Sequence, residues 1–483
     1  MTGTSQQITI IQINDTHGYL SSHPEQFWAG GRPAFRIAGG YGRIAGLLQQ
    51  IRRETNGRTL ALDCGDTLHG TYAPVATKGG VMLPVLEQMG FAAMTAHWDF
   101  AYGPKRLQEI ADRLPYPVLA INCYDKDSKQ LVFPPYLIQE VGGVRVGIIG
   151  IAAYIVDKLM PPSFSEGVYL TLGDAELPGY IHRLRHEEGV DLVVVIAHLG
   201  FPQEMKLART VPGIDVLLSA HTHNRLGAPA RINDTLVIQS GSHGSFAGRL
   251  DLTLEGGKIS RFDHHLLVVD EGIDADPEVA ATVDNVMAPY RDMLAEVVGE
   301  TRTALTRGRV LETTMDNFIL QSLLHSSDAE IAFSHGWRYG APVPPGPITL
   351  GDLYQIIPMD PPIFTAEIRG EALWDMLEEN LHNVFAADPY EQIGGSVKRS
   401  LGLNGYIRPQ NPRGHRLSEL FVNGGAVEPS RSYRIAFVTT QAVPERYAEK
   451  REKLGLSAVE ALRRYLADEG PVAAPLRDTF VAI

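Results

Sequence analysis

Five short polar segments punctuate this chain in one fixed order: Asp15-Thr16-His17, Gly65-Asp66, His97-Trp98-Asp99, His198 and Ala220-His221-Thr222-His223. Each follows a short apolar run, the pattern of a buried strand, and the first, at 8–13, is rich in β-branched residues. The runs are 8–13, 58–62, 92–96, 190–197 and 214–220. A fold that ends several strands on polar side chains gathers them at one edge of its sheet, where open α/β sheets build their sites. What is gathered as candidate ligands is two carboxylates, Asp15 and Asp66, and five imidazoles, with Asp99 as a further acid. Divalent metals with open coordination positions take His nitrogen and carboxylate oxygen. Two such ions about 3.5–4 Å apart can hold a tetrahedral anion and activate a water between them. An Asp-x-His alone is common, and a lone His at a strand end is ordinarily a hydrogen-bonded structural residue. The order of the five segments, and their repeated placement, carry the reading.

Between these segments the pattern alternates strand and helix. Helices are predicted at 42–53, 84–89, 105–114 and 177–186, a further strand at 118–122, and a hairpin over 132–151 turning at Gly142-Gly143. Several antiparallel strands are expected from Leu236 to Asp270, with a turn at Gly256-Gly257. At 483 residues the chain is too long for one core. A metal domain is expected over 1–270, an acidic connector helix over 271–302, and a second α/β unit over 303–483. The second unit should hold a helix at 316–325, a strand at 330–334, a Gly/Pro-rich loop at 340–347, a helix at 370–379 and strands near Leu420 and at 435–439.

The formal charge of −13 argues against binding nucleic acid by phosphate neutralisation, or an anionic membrane surface. Two cysteines, Cys64 and Cys123, imply no disulfide framework, and Cys64 reads as a small buried side chain. The polar start, Met1 to Gln7, runs straight into a strand and carries no signal-peptide pattern. No apolar run is long enough to span a bilayer. The expected location is cytoplasmic, or periplasmic or extracellular if a leader is removed.

The motif order resembles the 5′-nucleotidase branch of the calcineurin-like metallophosphoesterases. That family carries Asp-x-His, Gly-Asp, Asn-His-Glu/Asp, a lone His and Gly-His-x-His, followed by a C-terminal substrate-binding domain. The resemblance extends to Gly39–Arg43 and to Gly351-Asp352-Leu353-Tyr354. It implies a four-layer α/β/β/α metallophosphoesterase domain joined to a smaller C-terminal α/β domain. By matching positions, one metal takes Asp15, His17, Asp66 and His223, and a second takes Asp66, His97, His198 and His221, with Asp66 bridging. Mn²⁺ suits this mixed set best, with Zn²⁺ or Fe as alternatives.

The third motif departs from the nucleotidases. Their catalytic His–Asp dyad would fall at Trp98 and Ala101. A His-Trp at this point is similar to the SoxB-type thiosulfohydrolases of sulfur oxidation. So are Ser334-His335-Gly336-Trp337-Arg338-Tyr339-Gly340 and the stretch from Asn383-Val384-Phe385 through Asp388-Pro389-Tyr390 to Gly394-Gly395. The departure has a chemical reading. An alkoxide leaving group needs a proton donor, whereas a sulfur leaving group is far more acidic, with cysteine near pKa 8.5. The resemblance therefore implies release of sulfate from a cysteine-linked sulfonate by a metal-activated water. The alternatives are a 5′-nucleotidase or related phosphoesterase of nucleotide catabolism, and an inactive metal-bearing binding protein. The substrate would be a small anion or a cysteine-bearing carrier peptide of a partner protein. Arg338 is the expected oxyanion contact, since its fork suits sulfate or phosphate. Asn317 and Arg399 are further candidates, Phe385 and Tyr390 would form an aromatic wall, and Trp98 would close over the metals and donate its indole N–H. His243 reads as a group supporting the ligands rather than one of them.

Overall fold

The computed structural model describes residues 5–393 and 395–483. Of the sequence features above, only Gly394 and the first four residues lie outside it. The chain forms two compact units, Met1–Pro289 and Tyr290–Ile483.

The first unit is built on two sheets. One runs in the order Lys258–Val268, Phe246–Glu255, Gln6–Ile13, Thr59–Asp63, Ala93–Met94. The other runs Ala230–Ile232, Thr235–Ile238, Val216–Leu218, Leu192–Ala197, Val144–Ile151, Tyr136–Val141. The alternation along each strand decides how they pack. Ile8, Ile10, Leu60 and Leu62 of the first sheet meet Val146, Ile148, Val194 and Ile196 of the second in one buried cluster. Helices cover the outer faces, giving the four-layer α/β/β/α arrangement. Tyr41, Ile44 and Leu48 of helix Tyr41–Glu54 are wholly buried. On the other side Leu184 lies over Gly147, where an added Cβ would sit 2.9 Å from its methyl.

Strand direction positions the site. Gln6–Ile13, Thr59–Asp63 and Ala93–Met94 are parallel, with Ile13 opposite Asp63 and Asp63 opposite Met94. In the second sheet Leu192–Ala197 is parallel to Val216–Leu218 and to Val144–Ile151. Each of these strands except Val144–Ile151 runs out into one of the polar segments.

Three expectations change. The strand predicted at 118–122 is a single bridge, Val118 to Met94. Its N–H groups serve both sheets, Leu119 donating to Met94 O (2.7 Å) and Ile121 to Gly150 O (2.9 Å), so the segment crosses between sheets and extends neither. The 271–302 connector is not one helix. Asp276 caps a helix at Pro277–Met287 that belongs to the first unit, Arg291–Leu294 forms one turn, and Val297–Thr301 is a strand paired with Gly346–Thr349. Pro289 lacks the N–H that would carry the helix on. A hairpin, His23–Ala29 with Arg32–Ala38 turning at Gly30-Gly31, and a helix at Phe201–Thr210 occupy stretches left unread in the sequence.

The second unit packs helices Thr314–His325, Gly370–Phe385 and Ala458–Glu469 with a five-stranded sheet ordered Arg399–Leu401, Ile331–Ser334, Ser432–Phe437, Pro362–Arg369, Glu449–Ser457. Gly351-Asp352-Leu353-Tyr354 proves to be the start of helix Leu350–Ile356. Asp352 and Thr349 cap each other's backbone N–H there, a reciprocal capping box. No helix of the described residues is long and apolar enough to cross a membrane.

The inter-helix seam of the first unit yields a test. Gly46 lies inside helix Tyr41–Glu54, where alanine ordinarily gains about 1 kcal/mol in helix propensity. An added Cβ would lie 1.9 Å from Asp274 O, a rigid backbone atom. Overpacking therefore outweighs propensity, and Gly46→Ala is expected to lower stability by roughly 1–3 kcal/mol. Urea denaturation checks this, and a neutral or stabilising result contradicts the packing.

Candidate functional site

The polar segments converge. Asp15, His17, Asp66 and His223 place one ligand atom each within 4.8 Å of one another, and so do Asp66, His97, His198 and His221. Asp66 belongs to both groups, as the expected bridging carboxylate requires. His17 Nε2 and His223 Nε2 are 3.1 Å apart. His198 Nε2 lies 3.2 Å from Asp66 Oδ2 and 3.6 Å from Asp15 Oδ1, and His97 Nδ1 is 3.2 Å from Asp66 Oδ1.

The local backbone is unusual. Asp15, His17, Asp66, His221 and His223 all have positive φ, between 50° and 72°. Each such non-glycine residue costs of order 1–3 kcal/mol and persists only where its surroundings hold it. Asp99 is one such hold. Its buried carboxylate accepts from the N–H groups of Asp66 (3.0 Å), Thr67 (3.0 Å), Leu68 (2.8 Å) and His97 (3.1 Å), tying two ligand-bearing loops together. Asp15 is held the same way by His221 N, at 3.1 Å from both of its oxygens, and by Asn14 Nδ2 at 2.7 Å. Ring orientation is also set. Cys64 O lies 2.7 Å from His198 Nδ1 and His69 O lies 3.2 Å from His17 Nδ1, so both rings donate from Nδ1 and turn Nε2 inward.

The electrostatics fit cations. Burial alone would raise the pKa of Asp66, but His97, His198 and His17 outweigh it and hold the carboxyl well below its usual range. Burial likewise opposes charge on His198, yet Asp66 and Asp15 push that imidazole up to about 10. His17, where burial dominates, falls to about 3. Buried carboxylates and imidazole nitrogens thus face one another at close range, and His198 Nε2 makes no aligned hydrogen bond. This donor set suits two divalent ions, with no thiolate in it. Cys64 is buried, and that burial raises its thiol.

Trp98 stands at the second group. Its N–H donates to Asp66 Oδ1 at 2.7 Å. Its ring stacks on His69, 9° from parallel at 4.8 Å, and meets Phe164 edge-on at 5.9 Å. Ala101 is buried nearby in the same turn, Trp98–Tyr102. Asp99, Asn14 and His69 received no role from the sequence. Asp99 stood inside the third motif as a possible signal, but the backbone groups it collects become neighbours only on folding.

In the second unit Arg338 is half-buried, and its guanidinium donates to Gly395 O at 2.9 Å. Phe385 packs partly against the core, and Tyr390 is half-buried. Two expectations are corrected. Arg399 is 2% exposed and spends its guanidinium on Asp316 Oδ2 (3.2 Å), Arg309 O and Val310 O. Asn317 is 1% exposed and donates to Glu312 Oε1 and Pro475 O. Both spend donors on interior acceptors, while Asn317 Oδ1 has no hydrogen-bond partner among the described residues.

Residues 294–442 match the family model described as the 5′-nucleotidase C-terminal domain. The whole chain superposes on the sulfate thiohydrolase SoxB of Thermus thermophilus with a TM-score of 0.91 and 26% identity, covering 99% of this chain and 96% of that one. In fold and in its C-terminal domain the chain is similar to the 5′-nucleotidase/SoxB branch of the metallophosphoesterases. Within this branch it shares the fold of a 5′-nucleotidase precursor from the same Thermus species, at a TM-score of 0.85 and 23% identity over 99% of both chains. The trifunctional nucleotide phosphoesterase YfkN of Bacillus subtilis is 25% identical over 89% of this chain, and this chain spans 31% of YfkN. UshA of Yersinia enterocolitica is 20% identical, over 97% of this chain and 92% of UshA.

Two outcomes follow from the geometry. Asp66→Ala is expected to abolish binding at both positions, so that elemental analysis falls from about two metals per chain to none. Retention of one equivalent removes the bridging role. In the metal-free protein His198 holds a proton at neutral pH, because its folded pKa is raised from 6.5 to about 10. The stability this pairing contributes is present below pH 6.5 and is lost as pH rises toward 10. A cation must displace that proton, so metal affinity is expected to rise with pH across this window. Calorimetric titration in two buffers of different ionisation enthalpy measures the released proton.

Proposed function

We propose that this chain is a binuclear metal-dependent hydrolase that releases sulfate from a sulfonate linked through sulfur to a cysteine. One observation carries the reading. All seven ligand positions are filled and brought together, while the two positions of the nucleotidases' catalytic dyad hold Trp98 and Ala101. An enzyme that keeps its metal site and drops its proton donor is suited to a leaving group that departs as an anion. The likeness over the full chain to the Thermus sulfate thiohydrolase supports the same substrate class.

Two divalent ions, Mn²⁺ in our proposal, would polarise the sulfonate oxygens and acidify a water between them. The protein does the rest. Asp99 fixes the loops of Asp66 and His97, and the Cys64 and His69 carbonyls fix the His198 and His17 tautomers. Trp98, clamped between His69 and Phe164, presents its edge to the reacting group. In the reaction the water oxygen joins the sulfonate sulfur. The sulfur–sulfur bond breaks, its electron pair passing to the carrier sulfur, and sulfate leaves with that oxygen. Arg338 is proposed to receive the anion, with Phe385 and Tyr390 as the wall for a carrier peptide of a partner protein.

A second reading, hydrolysis of nucleotides or other phosphate esters, is favoured by the 5′-nucleotidase C-terminal domain and by the names of the relatives. Sulfate release from a cysteine S-thiosulfonate peptide, run beside phosphate release from p-nitrophenyl phosphate and AMP, separates the two. Brisk sulfate release is expected, with p-nitrophenyl phosphate cut far faster than AMP. No sulfate alongside rapid AMP hydrolysis overturns the proposal. Arg338→Ala should cost roughly 2–4 kcal/mol of transition-state stabilisation, and an unchanged rate removes it from the site.

A further inference from the structure

A second carboxylate–imidazole pair lies beside the first metal position and has no part in the ligand set. His243 sits in the turn between Thr235–Ile238 and Phe246–Glu255 and is 5% exposed. Its backbone is left-handed, with φ 59°. That conformation is pinned at both ends, the N–H donating to Asp15 O at 2.7 Å and the carbonyl accepting from His23 Nε2 at 2.9 Å. The ring stands at 5.8 Å from that of His223 and 6.1 Å from that of His17, measured between centroids. It is tilted against Tyr19 at 4.9 Å.

Behind the ring lies Glu25, 1% exposed, with Oε2 3.5 Å from His243 Nδ1. Glu25 is held in turn by Arg225 at 2.7 Å and by Gln26 N at 2.8 Å, both on Oε1. Glu25 Oε2, which has no aligned hydrogen bond of its own, faces Nδ1 and favours the tautomer with the hydrogen there and the lone pair on Nε2; Ser242 Oγ also lies 3.5 Å from Nδ1. That leaves Nε2 buried and without a hydrogen-bond partner. A buried acceptor left unmade is costly unless something fills it in use. His243 also stands outside the quartet of Asp15, His17, Asp66 and His223, so the filler is not the metal those four would hold.

We propose that His243, oriented by Glu25, is a positioning residue whose Nε2 accepts a hydrogen bond from the water that attacks the substrate on the first-metal side. The inference rests on the hydrolytic reading above. His243 adjoins the group of Asp15, His17, Asp66 and His223, beside the rings of His17 and His223, whereas Trp98 adjoins His97 of the other group.

Two substitutions and one spectrum test it. His243→Asn suits the left-handed backbone but is too short to place an acceptor at the Nε2 position. His243→Gln can place its carbonyl oxygen there. His243→Asn is expected to lower kcat for p-nitrophenyl phosphate by about 10–100-fold, the usual cost of losing a hydrogen-bonding group just outside the ligands of a metal site. KM, melting temperature and two metals per chain should stay unchanged, and His243→Gln should recover most of the loss. An unchanged kcat overturns the proposal, and so does loss of one metal equivalent, which would make His243 a ligand. Independently of activity, ¹⁵N-histidine spectra of the zinc-loaded protein, assigned by difference with His243→Gln, should show hydrogen on Nδ1 and a bare Nε2. A hydrogen on Nε2 overturns it. If wild type cuts neither p-nitrophenyl phosphate nor the cysteine S-thiosulfonate peptide, the hydrolytic reading fails on its own, while the tautomer still reports on the Glu25–His243 pair.

Discussion

One buried carboxylate underlies this site without belonging to it. Asp99 gathers the N–H groups of Asp66, Thr67, Leu68 and His97, and so determines where the bridging carboxylate and a second-metal imidazole stand. Burial, with Asp66 nearby, pushes its own pKa up, and the donated backbone N–H groups oppose that rise. The balance explains why so strained a set of loops survives. Each left-handed ligand residue is costly alone, but backbone groups that would otherwise be buried unpaired are satisfied only in this arrangement.

The same logic runs through the outer layer of the site. Main-chain carbonyls of Cys64 and His69 orient two imidazoles, and main-chain N–H of His221 and Trp98 orient two carboxylates. The ligands are thus held by the ends of parallel strands rather than by long side chains. The two-sheet sandwich supplies the rigidity, because its interior is closed by Ile, Val and Leu from both faces. Substrate choice sits on a smaller set of residues. In the reading proposed above, Trp98 and Ala101 are the positions that set the chemistry, and neither belongs to the candidate metal groups.

Much of this was readable before folding. The apolar runs marked nearly every strand of the metal domain that carries a ligand, because a buried parallel strand has little freedom in composition. The seven candidate ligands were readable for a related reason, since each is an Asp or a His following a strand-like run. The segment at 118–122 has the same composition as those strands and is not one, because its N–H groups are divided between Met94 and Gly150. Arg399 and Asn317 look like surface polar groups in sequence, and only the packing shows Asp316 and Glu312 waiting for them.

The sequence by itself pointed to the family resemblance, the two-unit layout and the seven candidate metal donors, since each follows from local residue type and order along the chain. Tertiary structure alone decided the rest. Asp99's N–H partners at Asp66, Thr67 and Leu68, the pairing of Glu25 with His243 across more than two hundred residues, and the clamp of Trp98 between His69 and Phe164 all join segments distant in sequence. Such contacts carry no local pattern, because the chain must close before a donor learns which acceptor it will face.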